Sequence, residues 1–123
     1  MDEEEFKRRT KQLGLRVIKV VEALPRGLAA EIIGKQLLRA ATSIGANYRA
    51  ACRAKSVPDI INKLKIVEEE SDETLYWLEM LCEANLIPQT RLADLMSETN
   101  EILAMTVASI KTLRQRQTSN RKS

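Results

Sequence analysis

The stretch QLLRAATSIGANYRAACRAKS, Gln36 to Ser56, decides the fold. It reads as a long helix with small and apolar residues over most of its circumference. Gln36, Ser43 and Asn47 sit at the edge of its inward stripe, and basic residues take what is left. A helix apolar over that much of its surface asks for more neighbours than one small bundle supplies. Small residues flank its centre on both sides: Ala46, Ala50 and Ala54 on one, Gly34, Ala41, Gly45 and Cys52 on the other. Two neighbouring helices can therefore approach it closely.

Outward from this stretch, the chain divides into helices with short breaks. In the first, Phe6, Thr10, Leu13, Val17, Val20 and Leu24 alternate four- and three-residue steps, a bundle seam. Glu3–Lys7, Glu4–Arg8 and Glu5–Arg9 are i,i+4 pairs with the acid leading, the favourable order. Pro25-Arg26-Gly27 stops it. The second helix runs from about Leu28 to Ala54, with a seam of Ile33, Leu37, Ala40, Ile44, Asn47 and Ala51. Ser56-Val57-Pro58-Asp59 is a start signal: a capping side chain, a proline in the first turn, then an acid. The third helix reaches about Ala84, with Ile60, Leu64, Val67, Ser71, Thr74, Leu78 and Leu81 inward. Asn85 to Pro88 breaks the chain again. The fourth helix runs from about Gln89 to Arg116 through Leu92, Leu95, Thr99, Ile102, Thr106 and Leu113, and residues 117–123 read as a polar, basic, disordered tail. Long helices with short connections predict an all-α, antiparallel up-down-up-down four-helix bundle in residues 1–116.

Composition agrees. At 123 residues the chain is one domain by length, with 4 Gly, 3 Pro and 3% aromatic residues, so the core must be aliphatic. The net charge of +3 is too small to imply nucleic-acid binding by itself. The N-terminal MDEEEFKRRTK is charged and has no apolar stretch of the signal-peptide kind, and no apolar run would span a bilayer, so the cytoplasm is expected. Cys52 and Cys82 read as free thiols, since antiparallel helices would set them roughly 30 Å apart along the axis.

The chain has no histidine. That removes Ser-His-Asp and Cys-His nucleophile systems, HExxH zinc sites and the Glu-x-x-His motif of di-iron bundles. Phosphate-binding glycine motifs are absent, and no metal or cofactor is expected. In the acid cluster Glu68, Glu69, Glu70, Asp72 and Glu73, helical projection turns Glu69, Asp72 and Glu73 away from the seam and leaves Glu68 and Glu70 flanking it. Such a cluster reads as a solvated or interfacial face, and the chain as a non-enzyme.

Binding surfaces are the remaining candidates. Gln36, Ser43 and Asn47 read as an internal polar network, with ligand binding as the alternative. Lys35, Arg39, Arg49 and Arg53 form an exposed basic strip on the second helix, where Glu31 is the single acid. The third helix is strongly acidic. The strip can meet that helix, in the same chain or in a neighbouring subunit, or it can meet nucleic-acid phosphates. No aromatic residues interleave with the arginines as base-stacking platforms would require. Tyr76, Trp77 and Met80 are residue types enriched at interfaces and read as an oligomer contact, with packing against the end of a neighbouring helix in the same chain as the alternative.

QLLRAATSIGAN, with Gln36, Arg39, Ser43, Ile44 and Asn47, resembles the signature of a bacterial four-helix-bundle family first noted in intervening sequences of 23S ribosomal RNA genes. INKLKIVEEESDETLYWLE, Ile61 to Glu79, resembles the third helix of one branch of it. The resemblance extends from Phe6 to about Leu113. It departs at Tyr48-Arg49-Ala50-Ala51, where much of the family has Ile-Ala-Glu-Gly. The resemblance implies a closed homopentameric ring. It also implies kinship with the accessory variability determinant of diversity-generating retroelements, a basic ring protein that binds nucleic acid and a reverse transcriptase. RNA or DNA, a protein partner such as a reverse transcriptase, and further copies of the chain are the partners so implied.

Overall fold

A computed structural model describes residues 2–122, with side chains to Asn120. The expectations placed on Ser123 and on the side chains of Arg121 and Lys122 lie outside the described residues. Four helices follow in order: α1 (Glu3–Glu22), α2 (Leu28–Arg53), α3 (Val57–Glu83) and α4 (Gln89–Lys122). Each helix packs on the next in sequence, and α1 meets α4 to close the bundle. That last pairing is the loosest of the four.

Local chemistry sets the helix ends. The Asp2 carboxylate accepts from Glu4 N at 3.0 Å, with Glu3, Glu4 and Glu5 in the first turn to complement the helix dipole. Gly27, at φ 145°, turns the chain from α1 into α2 in a conformation that a side chain would strain. Ser56 Oγ accepts from Asp59 N at 3.2 Å, and Pro58 fits the first turn of α3. Asn85 takes a left-handed conformation, φ 58°, after α3. Leu86 N then donates to Leu81 O at 2.9 Å and Asn85 N to Cys82 O at 3.0 Å, a Schellman termination. No proline or glycine interrupts α4 after Pro88, and its helix continues past Arg116 to Lys122. Residues 117–122, read from sequence as a disordered tail, have helical backbone, continuing the helix-forming run Arg114-Gln115-Arg116-Gln117.

The core is aliphatic. Leu13, Leu37, Ile44, Val67, Leu78, Leu81, Leu92 and Ile102 are fully buried with Phe6. A second cluster of Ala51, Ile61, Leu64 and Ile110 joins α2, α3 and α4. Between the apolar layers lie the buried hydroxyls of Thr10, Ser71, Thr74, Thr99 and Thr106. Each donates to the carbonyl four residues earlier in its own helix, at 2.7–2.9 Å, so none is left unsatisfied. The seams shift slightly from expectation: Ile61 is buried and Ile60 half-buried, and Ile110 replaces Leu113. Asn47 is half-buried.

Close approach of α1 and α2 depends on glycine. A Cβ on Gly45 would lie 3.3 Å from Thr10 O and 3.4 Å from Lys11 N, backbone atoms of α1 that cannot swing away. One glycine side of the motif helix thus faces α1, while Arg39 on the other side reaches α3.

Candidate functional site

The basic strip of α2 does not act as one surface. Arg39 Nη2 donates to Glu73 Oε1 and Oε2 at 3.0 and 3.1 Å, and its Nη1 lies 3.7 Å from Glu70 Oε1. Trp77 Nε1 donates to the same Glu73 carboxylate at 3.2 Å. Lys35 pairs with Glu31 one turn away, at 3.1 Å on an exposed face. Arg49 and Arg53 are exposed, and among the described residues neither has a carboxylate within ion-pair distance.

The clasp around Arg39 corrects the expected position of Glu73. Its side chain is turned toward α2 and half-buried, because both a guanidinium and an indole N–H lie within reach. Those donors, Trp77 first and then Arg39, hold the Glu73 carboxyl below its ordinary range. Glu70 goes the other way. Burial, and next the Glu73 charge, push its carboxyl up, and its Oε2 is buried with no hydrogen bond. Glu69 and Asp72 remain exposed, so the acid cluster divides between an α2–α3 clasp and an outer stripe. Among the described residues, no three of Cys, Asp and Glu come together as metal ligands.

Ser43 and Asn47 bond within α2. Ser43 Oγ donates to Ala40 O, and Asn47 Nδ2 donates to Ser43 O, both at 2.9 Å. Gln36 is half-buried on the same flank. These bonds run to backbone carbonyls of the helix itself. Tyr48, at the point of departure from the family pattern, sets its ring 4.5 Å from Phe6 and joins the core edge. Cys52 and Cys82 are both free and half-buried.

Tyr76, Trp77 and Met80 do not share one exposure. Trp77 and Met80 are half-buried and pack against the core, whereas Tyr76 is 52% exposed and meets Trp77 edge-on at 4.9 Å. Tyr76 alone of the three presents a large outward surface.

The structure adds a surface that the sequence reading did not single out. Between α1 and α2 runs a groove of about 560 Å³, lined on α1 by Glu4, Lys7, Arg8, Thr10, Lys11, Gly14, Leu15 and Ile18. Thr42, Gly45, Ala46 and Arg49 line it on α2. Leu15 is 46% exposed. Lys7 is held by Glu3 and Glu4 at 3.9 and 3.1 Å. Arg8 and Lys11 are exposed, and among the described residues neither has a carboxylate within ion-pair distance. One signal was readable: Leu15 and Ile18 are apolar residues that fall off the α1 seam.

The family model described as 23S rRNA-intervening sequence protein matches residues 3–108. Among solved structures, the chain is similar to a protein of Bacteroides thetaiotaomicron VPI-5482 from the S23 ribosomal protein family, itself described as of unknown function. Identity is 33%, the TM-score is 0.80, and the match covers 90% of this chain and 99% of that one. No curated protein matches the chain.

Proposed function

The chain belongs to the 23S rRNA-intervening sequence protein family, and from that premise we propose that it is a non-enzymatic, self-associating helical adaptor that contacts nucleic-acid phosphates through α2. The observation that carries this reading is the pair of exposed arginines, Arg49 and Arg53, with no carboxylate partner among the described residues. They lie four residues apart, about one turn, so a symmetric assembly repeats them as a regular array of positive charge. A homopentamer is the ring expected from the family resemblance, and a reverse transcriptase is the protein partner it suggests. The cytoplasm is the proposed compartment; among the described residues, no helix is long and apolar enough to cross a membrane.

Absence of histidine supports a non-enzymatic role, as does the engagement of Glu70 and Glu73 in a structural clasp rather than an open cleft. A second reading, a protein scaffold with no nucleic-acid role, is favoured by Arg39 and Lys35, since both already have carboxylates beside them. Filter binding to single- and double-stranded RNA and DNA across a salt series separates the two. The adaptor reading expects affinity that falls steeply with salt, and a shallower salt slope after Arg53→Glu. Lack of binding at low salt would leave the scaffold.

A further inference from the structure

We infer that the α1–α2 groove is the socket for the acidic outer stripe of α3 from a second copy of this chain, joined head to tail. This rests on the self-association proposed above and names the surfaces that perform it.

Both surfaces are built on the same spacing. On α3, Glu69, Asp72, Tyr76, Glu79 and Glu83 recur at alternating three- and four-residue steps, so they form one stripe along the helix. All five are exposed, and among the described residues none of the four acids has a basic partner within ion-pair distance. The stripe is an aromatic knob between two acidic turns. On α1, Arg8, Lys11, Leu15 and Ile18 follow the same steps along one wall of the groove. On α2, Thr42, Ala46 and Arg49 line the other. The socket is apolar and small toward one end, at Leu15, Ile18, Gly45 and Ala46, and basic toward the other, at Arg8, Lys11 and Arg49, where the single acid, Glu4, is engaged by Lys7.

The axial distances match. Tyr76 to Asp72 and Leu15 to Lys11 are each four residues, about 6 Å along a helix. Tyr76 to Glu69 and Leu15 to Arg8 are each seven, about 10 Å. A Tyr76 ring seated on Leu15 and Ala46 therefore brings Asp72 and Glu69 to the level of Lys11 and Arg8. Apolar contact at the centre with paired charge at the rim is the composition of a specific interface.

The occupant must come from another chain. In its own chain α3 packs on the Arg39 side of α2, whereas the groove lies on the Gly45 side, against α1. The contact joins two different surfaces, the groove of one copy and the α3 stripe of the next. It is therefore heterologous, and such a contact repeats from copy to copy, closing as a ring when its rotation divides the full turn. Arg49 is covered in this assembly, so the phosphate contact proposed for α2 falls to Arg53, which lies outside the groove lining.

The test is light scattering after gel filtration on four samples. These are the wild type, a socket variant carrying Lys11→Glu and Leu15→Glu, a stripe variant carrying Asp72→Asn and Tyr76→Glu, which the mutated socket repels, and an equimolar mixture of the variants. Helical circular dichroism and melting temperature confirm that the variants fold, as expected for substitutions at exposed positions. The wild type should run as a discrete oligomer and each variant as a monomer. The mixture should form a one-to-one dimer and stop there, since the stripe variant keeps an intact socket and the socket variant an intact stripe. A monomeric wild type would overturn self-association itself. Folded variants that keep the wild-type mass would overturn the socket while self-association stands. The same holds if the socket variant loses only nucleic-acid binding, or if monomeric variants fail to pair when mixed.

Discussion

At Glu70, one carboxylate is held against its own chemistry. Its Oε2 is buried without a hydrogen bond, the Glu73 charge is adjacent, and Arg39 is nearer to Glu73 than to it. The folded pKa is raised, so the stabilising contribution is present below the unfolded pKa and is lost as pH rises through the folded value. At neutral pH the ionised group therefore opposes folding. Glu70→Gln should stabilise the protein by about 1 kcal/mol at pH 7, because a buried acceptor without a donor costs on that order. The gain should disappear in acid, where wild-type Glu70 is itself neutral. Urea unfolding followed by Trp77 fluorescence at pH 7 and at pH 4 checks both halves. A variant less stable than wild type at pH 7 would mean that the 3.7 Å approach to Arg39 outweighs burial.

The helices themselves were legible in the sequence because their signals are local. Ser56 and Pro58 mark the α3 start, Pro25 and Gly27 the α1–α2 turn, and the three-four spacing the buried faces. Helix partnering was less legible. Glu5–Arg9 reads as an i,i+4 pair, yet Arg9 crosses to Glu98 of α4 with two hydrogen bonds at 2.6 and 2.9 Å. Glu73 reads as solvated, yet Arg39 and Trp77 turn it inward. Long charged side chains can reach in several directions, and spacing within one helix does not say which neighbour will be there. The glycines show the same limit. Gly14 and Gly45 look alike in sequence, but a Cβ on Gly14 meets its nearest atom, Thr42 Cα, at an ordinary 3.6 Å, whereas on Gly45 it meets backbone at 3.3 Å. Gly14→Ala should thus gain up to about 1 kcal/mol from helix propensity. Gly45→Val should lose about 2 kcal/mol by forcing α1 away from α2. Chemical denaturation of the two variants should move in opposite directions; a common direction would show that propensity, not helix approach, governs both sites.

For the whole molecule, α1 against α4 is the loosest seam, and a charge pair fastens it. Arg9 and Glu98 each keep 20% side-chain exposure, with Glu101 3.7 Å from the same guanidinium. The hydrogen bond from Arg9 holds the Glu98 carboxyl below its ordinary range. A depressed folded pKa gives stability that is present above the unfolded value, near 4.3 for Glu, and lost as pH falls through the folded value. Glu73 is depressed too and adds to acid lability, while Glu70 works against it. The bundle should therefore loosen first along the α1–α4 seam as acid is added, since α2 and α3, though also clasped by Arg39 and Glu73, are far more extensively packed. Glu98→Gln should cost about 1.5–3 kcal/mol at pH 7, the range for a hydrogen bond to a charged group. That deficit should shrink toward zero below the ordinary carboxylate range, where the wild type has lost the same charge. Hydrogen exchange would show α1 amides exposed before those of α3 in both the variant and the acidified wild type. A deficit that persists unchanged in acid would assign the seam to the packing of Arg9 against Met105, which its Nη1 approaches at 3.5 Å, rather than to charge.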